Sequence, residues 1–325
     1  MTVAVTGSIA TDHLMTFPGS FTDQFVDGQM ENVSLSFLVD DLVQHRGGAG
    51  ATMAYGMGLL GLHPVLVGAV GSDFADYDAW LTRYGVDTAS VHWSQVKQTA
   101  RFVCTTDNAN NQIASFYSGA MAEAADIELA PVARRVDAVE LVVIGPDDPT
   151  AMVRHTEECR SAGHRFAADP SQQLAWADGA MIRGLVDGAD LLFTNEYEAA
   201  LLRQKTGWDT DEVLGRVGTW VVTRAADGVL VQRRGEDALE VAAVPETKPV
   251  EPTGGGDALR AGLVAGLCWG LGLERAAQVG SAVATAAVEV VGTQEYDLPR
   301  EPFLERFADA FGPAAAAEVA PHLPE

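Results

Sequence analysis

From residue 140 onward, short apolar runs alternate with helical stretches, and this alternation limits the fold more than any other feature of the sequence. The apolar runs cover 141–144, 165–168, 191–194 and 220–223, and helical stretches at 149–162, 179–186 and 196–205 separate them. Near-continuous apolar strands joined through helices are typical of a parallel sheet that is covered on both faces. We therefore predict an α/β fold with a doubly wound, mainly parallel sheet flanked by helices. The apolar start of the chain, 1–7, is predicted to supply its first strand.

Polar or conformationally special residues follow each of these runs directly. They are Gly145-Pro146-Asp147, Asp169-Pro170-Ser171, Asn195-Glu196 and Arg224. In open α/β sheets, ligands bind outside the carboxyl ends of the strands. We therefore expect the functional site at the carboxyl edge of the sheet.

Three early segments break the alternation. Residues 33–39 alternate apolar and polar side chains, as a strand with one wet face does. Residues 101–106 and 112–117 resemble strands joined by the turn-rich link 107–111, which favours a hairpin. Because these segments have too little core to stand alone, we predict a small β-sheet lid. It would comprise 11–46 and 99–118, and the α/β core would comprise 1–10, 47–98 and 119–325.

The charge balance excludes some classes of partner. The chain has 21 Lys and Arg against 45 Asp and Glu, a formal net charge of −24. Nucleic acids and anionic membrane surfaces both demand a positive field, so we expect neither as a partner. Backbone amides can still bind a phosphate locally, whatever the net charge.

Cysteine usage and the apolar runs indicate a cytoplasmic protein. The three cysteines, Cys104, Cys159 and Cys268, lie far apart and form neither a disulfide framework nor a zinc motif. No apolar run reaches the roughly 18–20 residues that span a bilayer, and residues 1–7 lack the basic stretch of a signal peptide.

The motif with the most chemical content is Glu251-Pro252-Thr253-Gly254-Gly255-Gly256-Asp257, which precedes the helical run 258–271. The glycines let backbone amides converge at a helix N-terminus, where they can hold a transferring phosphoryl group. Asp257 would then accept a proton from an attacking hydroxyl. The alternative is an ordinary glycine-rich turn with Asp257 as a helix cap.

A second glycine cluster, Arg46-Gly47-Gly48-Ala49-Gly50-Ala51-Thr52, opens the helical stretch 53–60. Glycines here permit a ligand to approach the backbone closely, although tight packing of the helix on the sheet explains them equally well.

Together these features resemble the PfkB, or ribokinase-like, family of carbohydrate and nucleoside kinases. The resemblance covers essentially the whole chain and includes both glycine clusters and an N-x-x-E motif, Asn195-Glu196-Tyr197-Glu198. Within the family the chain is most similar to bacterial adenosine kinases. That similarity is carried by Gly7-Ser8-Ile9-Ala10-Thr11-Asp12-His13, Ser34-Leu35-Ser36-Phe37-Leu38-Val39-Asp40-Asp41, Asp169-Pro170-Ser171-Gln172-Gln173 and Gly292-Thr293-Gln294-Glu295.

The resemblance implies a role for each matched residue. Asp257 is the implied catalytic base, beside the anion-binding amides of Gly254, Gly255 and Gly256. The implied nucleoside contacts, besides Asp257, are Ser8, Asp12, Ser36, Gly48, Thr52, Phe102, Phe116, Gln172 and Gln173. The implied ATP contacts are Asn195, Thr223, Gly228, Gly254 and Gly256. Mg²⁺ would be held through water by Asn195 and Glu198, and a monovalent cation such as K⁺ is a further candidate cofactor.

Two of these roles compete with simpler explanations. Phe102 and Phe116 could sandwich a purine, but aromatic residues on neighbouring strands usually form a cross-strand hydrophobic pair. Asn195 and Glu198 offer the hard oxygen ligands that suit Mg²⁺, but they could equally be an exposed helix start.

The chain departs from the family pattern at three positions. Thr52 stands where the family has an Asn, so one amide donor is lost. Glu251 replaces the usual Asp. Ala225 occupies a position where Gly is expected, and a positive φ there would cost alanine about 1 kcal/mol.

The resemblance thus implies an ATP-dependent adenosine kinase that phosphorylates the nucleoside 5′-hydroxyl, giving AMP and ADP. The alternatives are a sugar kinase of the ribokinase or fructokinase type, and a nucleoside-binding protein without catalysis.

We also expect a homodimer formed through the lid. Apolar residues fall on both faces of the lid strands, namely Leu35, Phe37, Val103, Ile113 and Tyr117. A small sheet that exposes apolar side chains and open edges is usually avoided in monomers. The alternative is a monomer whose own helices cover the lid.

Overall fold

The computed structural model describes residues 1–25, 36–136, 139–245 and 248–325. The strands are β1 (Val3–Thr6), β2 (Ala10–Thr16), β3 (Asp41–Gly47), β4 (Val65–Val67), β5 (Ala69–Val70), β6 (His92–Trp93), β7 (Ala100–Thr106), β8 (Gln112–Tyr117), β9 (Leu141–Ile144), β10 (Phe166–Ala168), β11 (Leu191–Asn195), β12 (Thr219–Thr223), β13 (Val229–Gln232) and β14 (Leu239–Val241). The helices are α1 (Ala49–Leu59), α2 (Ala75–Arg83), α3 (Leu129–Arg135), α4 (Pro149–Ala162), α5 (Gln173–Trp176), α6 (Gly179–Val186), α7 (Glu196–Thr206), α8 (Thr210–Leu214), α9 (Gly255–Cys268), α10 (Leu273–Val288), α11 (Arg300–Phe311) and α12 (Pro313–Val319).

The predicted doubly wound sheet is confirmed. Within the described residues it has eight strands in the order β14-β13-β12-β11-β10-β9-β1-β4. The six strands from β12 to β4 are mutually parallel, and β13 and β14 add an antiparallel edge. The parallel strands therefore have their carboxyl ends at one edge of the sheet. The winding of the chain changes direction between β1 and β9, because β4 lies on one side of β1 and β9 to β12 lie on the other.

Alternate residues of the central strands enter two separate cores. Val142 on β9 and Leu192 on β11 pack with Met152 of α4 on one face. Their neighbours Val143 and Phe193 pack on the other face, with α9 and α10. Both faces of the sheet are thus covered, which explains why the strands read as continuous apolar runs.

A smaller, four-stranded sheet has the order β3-β2-β7-β8. Its register places His45, Asp12, Phe102 and Phe116 directly beside one another, one residue from each strand. Directly paired residues of neighbouring strands point to the same face. We call this set the Asp12 row.

The strand predicted at 33–39 is wrong in its described part. Residues 36–39 form no strand, and the strand of this region is β3, which begins at Asp41. The Phe37 ring packs instead against Phe17 and Phe21, with centroid separations of 4.9 and 5.2 Å. This aromatic cluster holds the segment as a loop and removes Phe37 from the exposed apolar surface. Val33, Ser34 and Leu35 lie outside the described residues.

Two helices begin earlier than predicted. The helix expected from residue 258 starts at Gly255, and the helix expected from residue 53 starts at Ala49. Glycine has a low helix propensity, but tertiary packing overrides it in both places. Gly50, Gly255 and Gly256 therefore lie in the first turns of helices.

Among the helices that the structure describes, none combines the length and apolarity that crossing a lipid bilayer requires.

Candidate active site

The glycine motif places Asp257 in the first turn of α9. The helix is preceded by Gly254, whose φ of +84° is a left-handed conformation that L side chains rarely adopt. A Cβ there would also lie 2.9 Å from Cβ of Thr293. The first N–H groups of a helix have no acceptor within it, so this turn forms an anion-binding end beside Asp257. Of the glycine amides, that of Gly255 also donates to the carbonyl oxygen of Pro252, at 3.3 Å.

The electrostatic surroundings of Asp257 suit a general base. Its side chain is 22% exposed. Burial raises its pKa to about 7; Arg260 lowers the pKa, and Asp169 and Glu198 raise it. A base is most effective when its pKa lies near the working pH, because it is then both ionised and able to accept a proton.

A buried ion pair behind Asp257 was missed in the sequence. Nη2 of Arg260 donates to Oδ1 of Asp169 at 2.7 Å, and the two side chains are 7% and 0% exposed. A signal was available, because Arg260 is the one charged residue in the apolar run 258–271. Its partner lies 91 residues away at the end of β10, and pattern reasoning could not have found that pairing.

A cavity of about 610 Å³ opens beside the glycine motif, at the carboxyl edge of the sheet. Its lining includes Asn195, Thr223, Gly228, Gly255 and Gly256. Four of the five residues implied as ATP contacts, all except Gly254, therefore line one cavity. Pockets for ligands of nucleotide size fall in this range of volume.

Ala225 also lines this cavity, and its φ is +48°. The position does require a left-handed backbone, so the replacement of glycine by alanine carries the strain expected from the sequence.

Asn195 and Glu198 form the capping box of α7. The amide nitrogen of Asn195 donates to Oε2 of Glu198, and that of Glu198 donates to Oδ1 of Asn195, both at 2.8 Å. The helix-start explanation is thus structurally correct. It is compatible with a metal role, because Oε1 of Glu198 has spare lone pairs and the charge of Glu198 acts on Asp257. A carboxylate oxygen and an amide oxygen fit water-mediated Mg²⁺, which keeps much of its hydration.

The residues expected on the nucleoside side lie where β1 and β2 meet α1. Oγ of Ser8 accepts from the amide of Ala49, and Gly48 is the N-cap of α1. Burial raises the pKa of Asp12 to about 6; His45 lowers the pKa, and Glu251 raises it. The pKa of Asp12 therefore depends on residues of both the small sheet and the glycine motif.

The remaining expected contacts are placed less directly. Thr52 is 1% exposed, and its hydroxyl pairs with that of Thr293 at 3.1 Å. Gln173 donates through Nε2 to the carbonyl oxygen of Asp147, at 2.8 Å. Gln172 and Ser36 are exposed. The structure thus brings Ser8, Asp12 and Gly48 together, and Thr52 becomes part of a buried hydrogen-bond network.

The loop after α10 links the two glycine clusters. Oε2 of Glu251 accepts from the amide of Gly292 at 3.1 Å, and Thr293 donates through its hydroxyl to the carbonyl oxygen of Arg46 at 3.0 Å. Gly292 and Thr293 carried the resemblance without an assigned role. Their contacts fix the anion-binding turn relative to the nucleoside side.

The fold and this arrangement define a phosphotransferase that acts on a hydroxyl group of a nucleoside or sugar. Residues 8–301 match the model of the pfkB family carbohydrate kinases. The chain belongs to the PfkB family, as the sequence resemblance indicated.

Individual relatives are nucleoside kinases. The chain is 32% identical to the nucleoside kinase of Methanothermobacter thermautotrophicus over 253 residues, which cover 77% of this chain and 80% of the relative. The structure of Burkholderia thailandensis nucleoside kinase in complex with inosine aligns with a TM-score of 0.82 and 33% identity, covering 96% of this chain and 98% of that one. The same enzyme in complex with ADP-inosine aligns with a TM-score of 0.81 and 34% identity, covering 96% of each chain.

Proposed function

We propose that this protein is an ATP-dependent purine nucleoside kinase that phosphorylates the 5′-hydroxyl, with adenosine as its leading substrate and AMP and ADP as products. One observation carries the proposal. Asp257, whose pKa lies near 7, directly follows two glycines that line the nucleotide cavity. The inosine bound to the Burkholderia thailandensis enzyme supports a nucleoside acceptor.

The transfer follows from the positions of these residues. Asp257 accepts the proton of the 5′-hydroxyl, and the oxygen attacks the γ-phosphorus of ATP. The new O–P bond forms as the bond to the β-phosphate oxygen breaks, and ADP leaves. The amides of Gly254, Gly255 and Gly256 and the N-terminus of α9 stabilise the charge that spreads over the phosphoryl oxygens. Bound Mg²⁺, held through water by Asn195 and Glu198, would neutralise phosphate charge.

We propose that the small sheet of β2, β3, β7 and β8 recognises the nucleoside, as part of the lid predicted at 11–46 and 99–118. In the Asp12 row, the carboxylate proposed to bind sugar hydroxyls lies beside two aromatic rings. Phe116 is 54% exposed, so its ring is available to a base. Stacking on an aromatic side chain contributes about 1–3 kcal/mol per base.

Phe102→Ala and Phe116→Ala should each weaken adenosine binding about 5- to 150-fold, since 1.4 kcal/mol is a factor of ten. Ser115→Ala is the control, because Ser115 lies on β8, is exposed, and points to the face opposite Phe116. Thermal-shift titrations with adenosine, inosine, ribose and fructose measure the effect. Stabilisation by ribose or fructose but not by adenosine would establish the sugar-kinase alternative, and unchanged adenosine affinity in both variants would remove the stacking role.

The homodimer is proposed on the face opposite the Asp12 row. Leu42 and Ile113 lie in register with one another across that face and are 63% and 44% exposed. Burying such apolar area between two copies stabilises association at roughly 25 cal/mol per Å².

Leu42→Asp combined with Ile113→Asp should therefore yield monomers. Light scattering at micromolar concentration measures the mass, and Trp176→Asp, at an 86% exposed apolar position on α5 of the α/β core, is the control. A monomeric wild-type protein would contradict the dimer.

A further inference from the structure

The ion pair between Arg260 and Asp169 is placed at a cost to the fold. Charged groups are rarely taken out of water, because their mutual attraction seldom repays the lost hydration. Here both side chains are almost completely buried. In the described part of the chain, Nε of Arg260 and Oδ2 of Asp169 also lack hydrogen-bond partners. A pair that served stability alone would have these atoms satisfied.

The geometry places the guanidinium directly beneath the anion-binding turn. Nη2 is anchored on Asp169 at 2.7 Å, and Nη1 lies 4.0 Å from Oδ1 of Asp257. A Cβ on residue 256 would lie 2.6 Å from Nη1, so Gly256 makes the room that the guanidinium occupies. The Phe193 ring, 5.8 Å from Cζ, borders it on the sheet side.

Three charged groups from different elements act on the Asp257 carboxylate. Arg260 on α9 is positive, and Asp169 after β10 and Glu198 on α7 are acidic. Burial raises the pKa of the Tyr296 phenol, in the loop after α10, and the charge of Asp257 in turn raises it further. Arg260 is therefore the cation that offsets two neighbouring acids.

We propose that Arg260, anchored by Asp169, is the positioning residue of the catalytic base: it orients the Asp257 carboxylate, keeps it ionised, and sets a fixed positive charge under the phosphoryl site. This role rests on the proposed function of Asp257. Asp169 is then the anchor of Arg260. Its negative charge acts on the pKa of Asp257 in the direction opposite to the positive charge of Arg260.

The two members of the pair should shift the pH profile of kcat in opposite directions. Removing an opposite charge within about 4–6 Å raises the pKa of a carboxylate by about one unit or more. Arg260→Met should therefore move the acidic limb upward by about one pH unit. From a pKa of about 7, this lowers kcat about fivefold at pH 7 and restores much of it at pH 9. Asp169→Asn keeps an oxygen that accepts from Arg260 but removes a negative charge, so the limb should move downward.

Conservative and remote variants complete the design. Arg260→Lys retains the charge and should keep the limb near its wild-type position. Arg165→Met breaks an exposed ion pair with Asp190 and should leave the profile unchanged. If Arg260→Met does not fold, the direction of the Asp169→Asn shift decides the question. Profiles that fall by the same factor at every pH, or that do not move, overturn the inference.

A titration of the Asp257 carboxyl by carbon-13 NMR in the ligand-free protein tests the same two directions without turnover. Opposite shifts in Arg260→Met and Asp169→Asn support the positioning role, and identical or absent shifts contradict it. Failure of the wild-type protein to phosphorylate any nucleoside or sugar contradicts the proposed function instead. The two failures are therefore distinguishable.

Discussion

Asp257→Asn is expected to lower kcat by about 10²–10⁴-fold, the usual effect of losing a general base. The amide keeps the shape of the side chain but cannot accept the proton of the 5′-hydroxyl. Because the glycine amides and the nucleotide cavity are untouched, affinities for nucleoside and ATP should change little. Steady-state kinetics with adenosine, together with calorimetric titration of each ligand, separate these two effects.

Asp76→Asn is the matched control, since Asp76 also lies in the first turn of a helix but is exposed on α2. It loses the same interaction with the helix dipole, which is worth about 0.3–1 kcal/mol, and should keep normal turnover. A near-normal kcat in Asp257→Asn would remove Asp257 from the mechanism. A matching loss in the control would show that the effect arises from the helix terminus.

Asp12→Asn should raise KM for the nucleoside by about 10- to 100-fold while changing kcat much less. Hydrogen bonds to a charged group contribute about 1.5–3 kcal/mol, and in our proposal the half-buried carboxylate accepts from sugar hydroxyls. Since the sugar contacts are made in the ground state and the transition state alike, their loss weakens binding rather than chemistry.

Asp41→Asn tests whether the small sheet tolerates such a change. Asp41 begins β3 at the opposite end of the sheet and is exposed, so its KM should stay at the wild-type value. A normal KM in Asp12→Asn would place the sugar elsewhere. An equal rise in both variants would point to a general disturbance of the lid.

The strand and helix pattern of the core was predictable because its signals are local. A continuous apolar run such as 141–144 has few alternatives when helices flank it, and the observed β9 has the same bounds. The segment 33–39 failed because alternation alone does not reveal tertiary packing. Phe37 is held by Phe17 and Phe21, which lie together in the segment that follows β2, and alternation within 33–39 carries no information about that contact.

The candidate site likewise has a part that could be predicted from the sequence and a part that could not. The glycine motif could be interpreted from the sequence, since amides, a helix start and a carboxylate follow one another within seven residues. The roles of Thr293 and Asp169 could not, because each depends on contacts across long separations. Thr293 bonds the backbone of Arg46, and Asp169 bonds Arg260.

Two of the three departures from the family pattern, Thr52 and Glu251, are explained by the same contacts. Thr52 hydrogen-bonds to Thr293, and Glu251 reaches the amide of Gly292, so both serve the loop that joins the two glycine clusters. They leave Asp257 and the anion-binding turn intact.

The most direct test of the central claim is a coupled measurement of ADP release with ATP and Mg²⁺, run over adenosine, inosine, ribose and fructose. We expect ADP to form with adenosine in step with AMP, to form with inosine at a rate set by base recognition, and to stay near the background rate with both free sugars. ADP release with ribose or fructose but not with either nucleoside, or no release with any acceptor, would contradict the account.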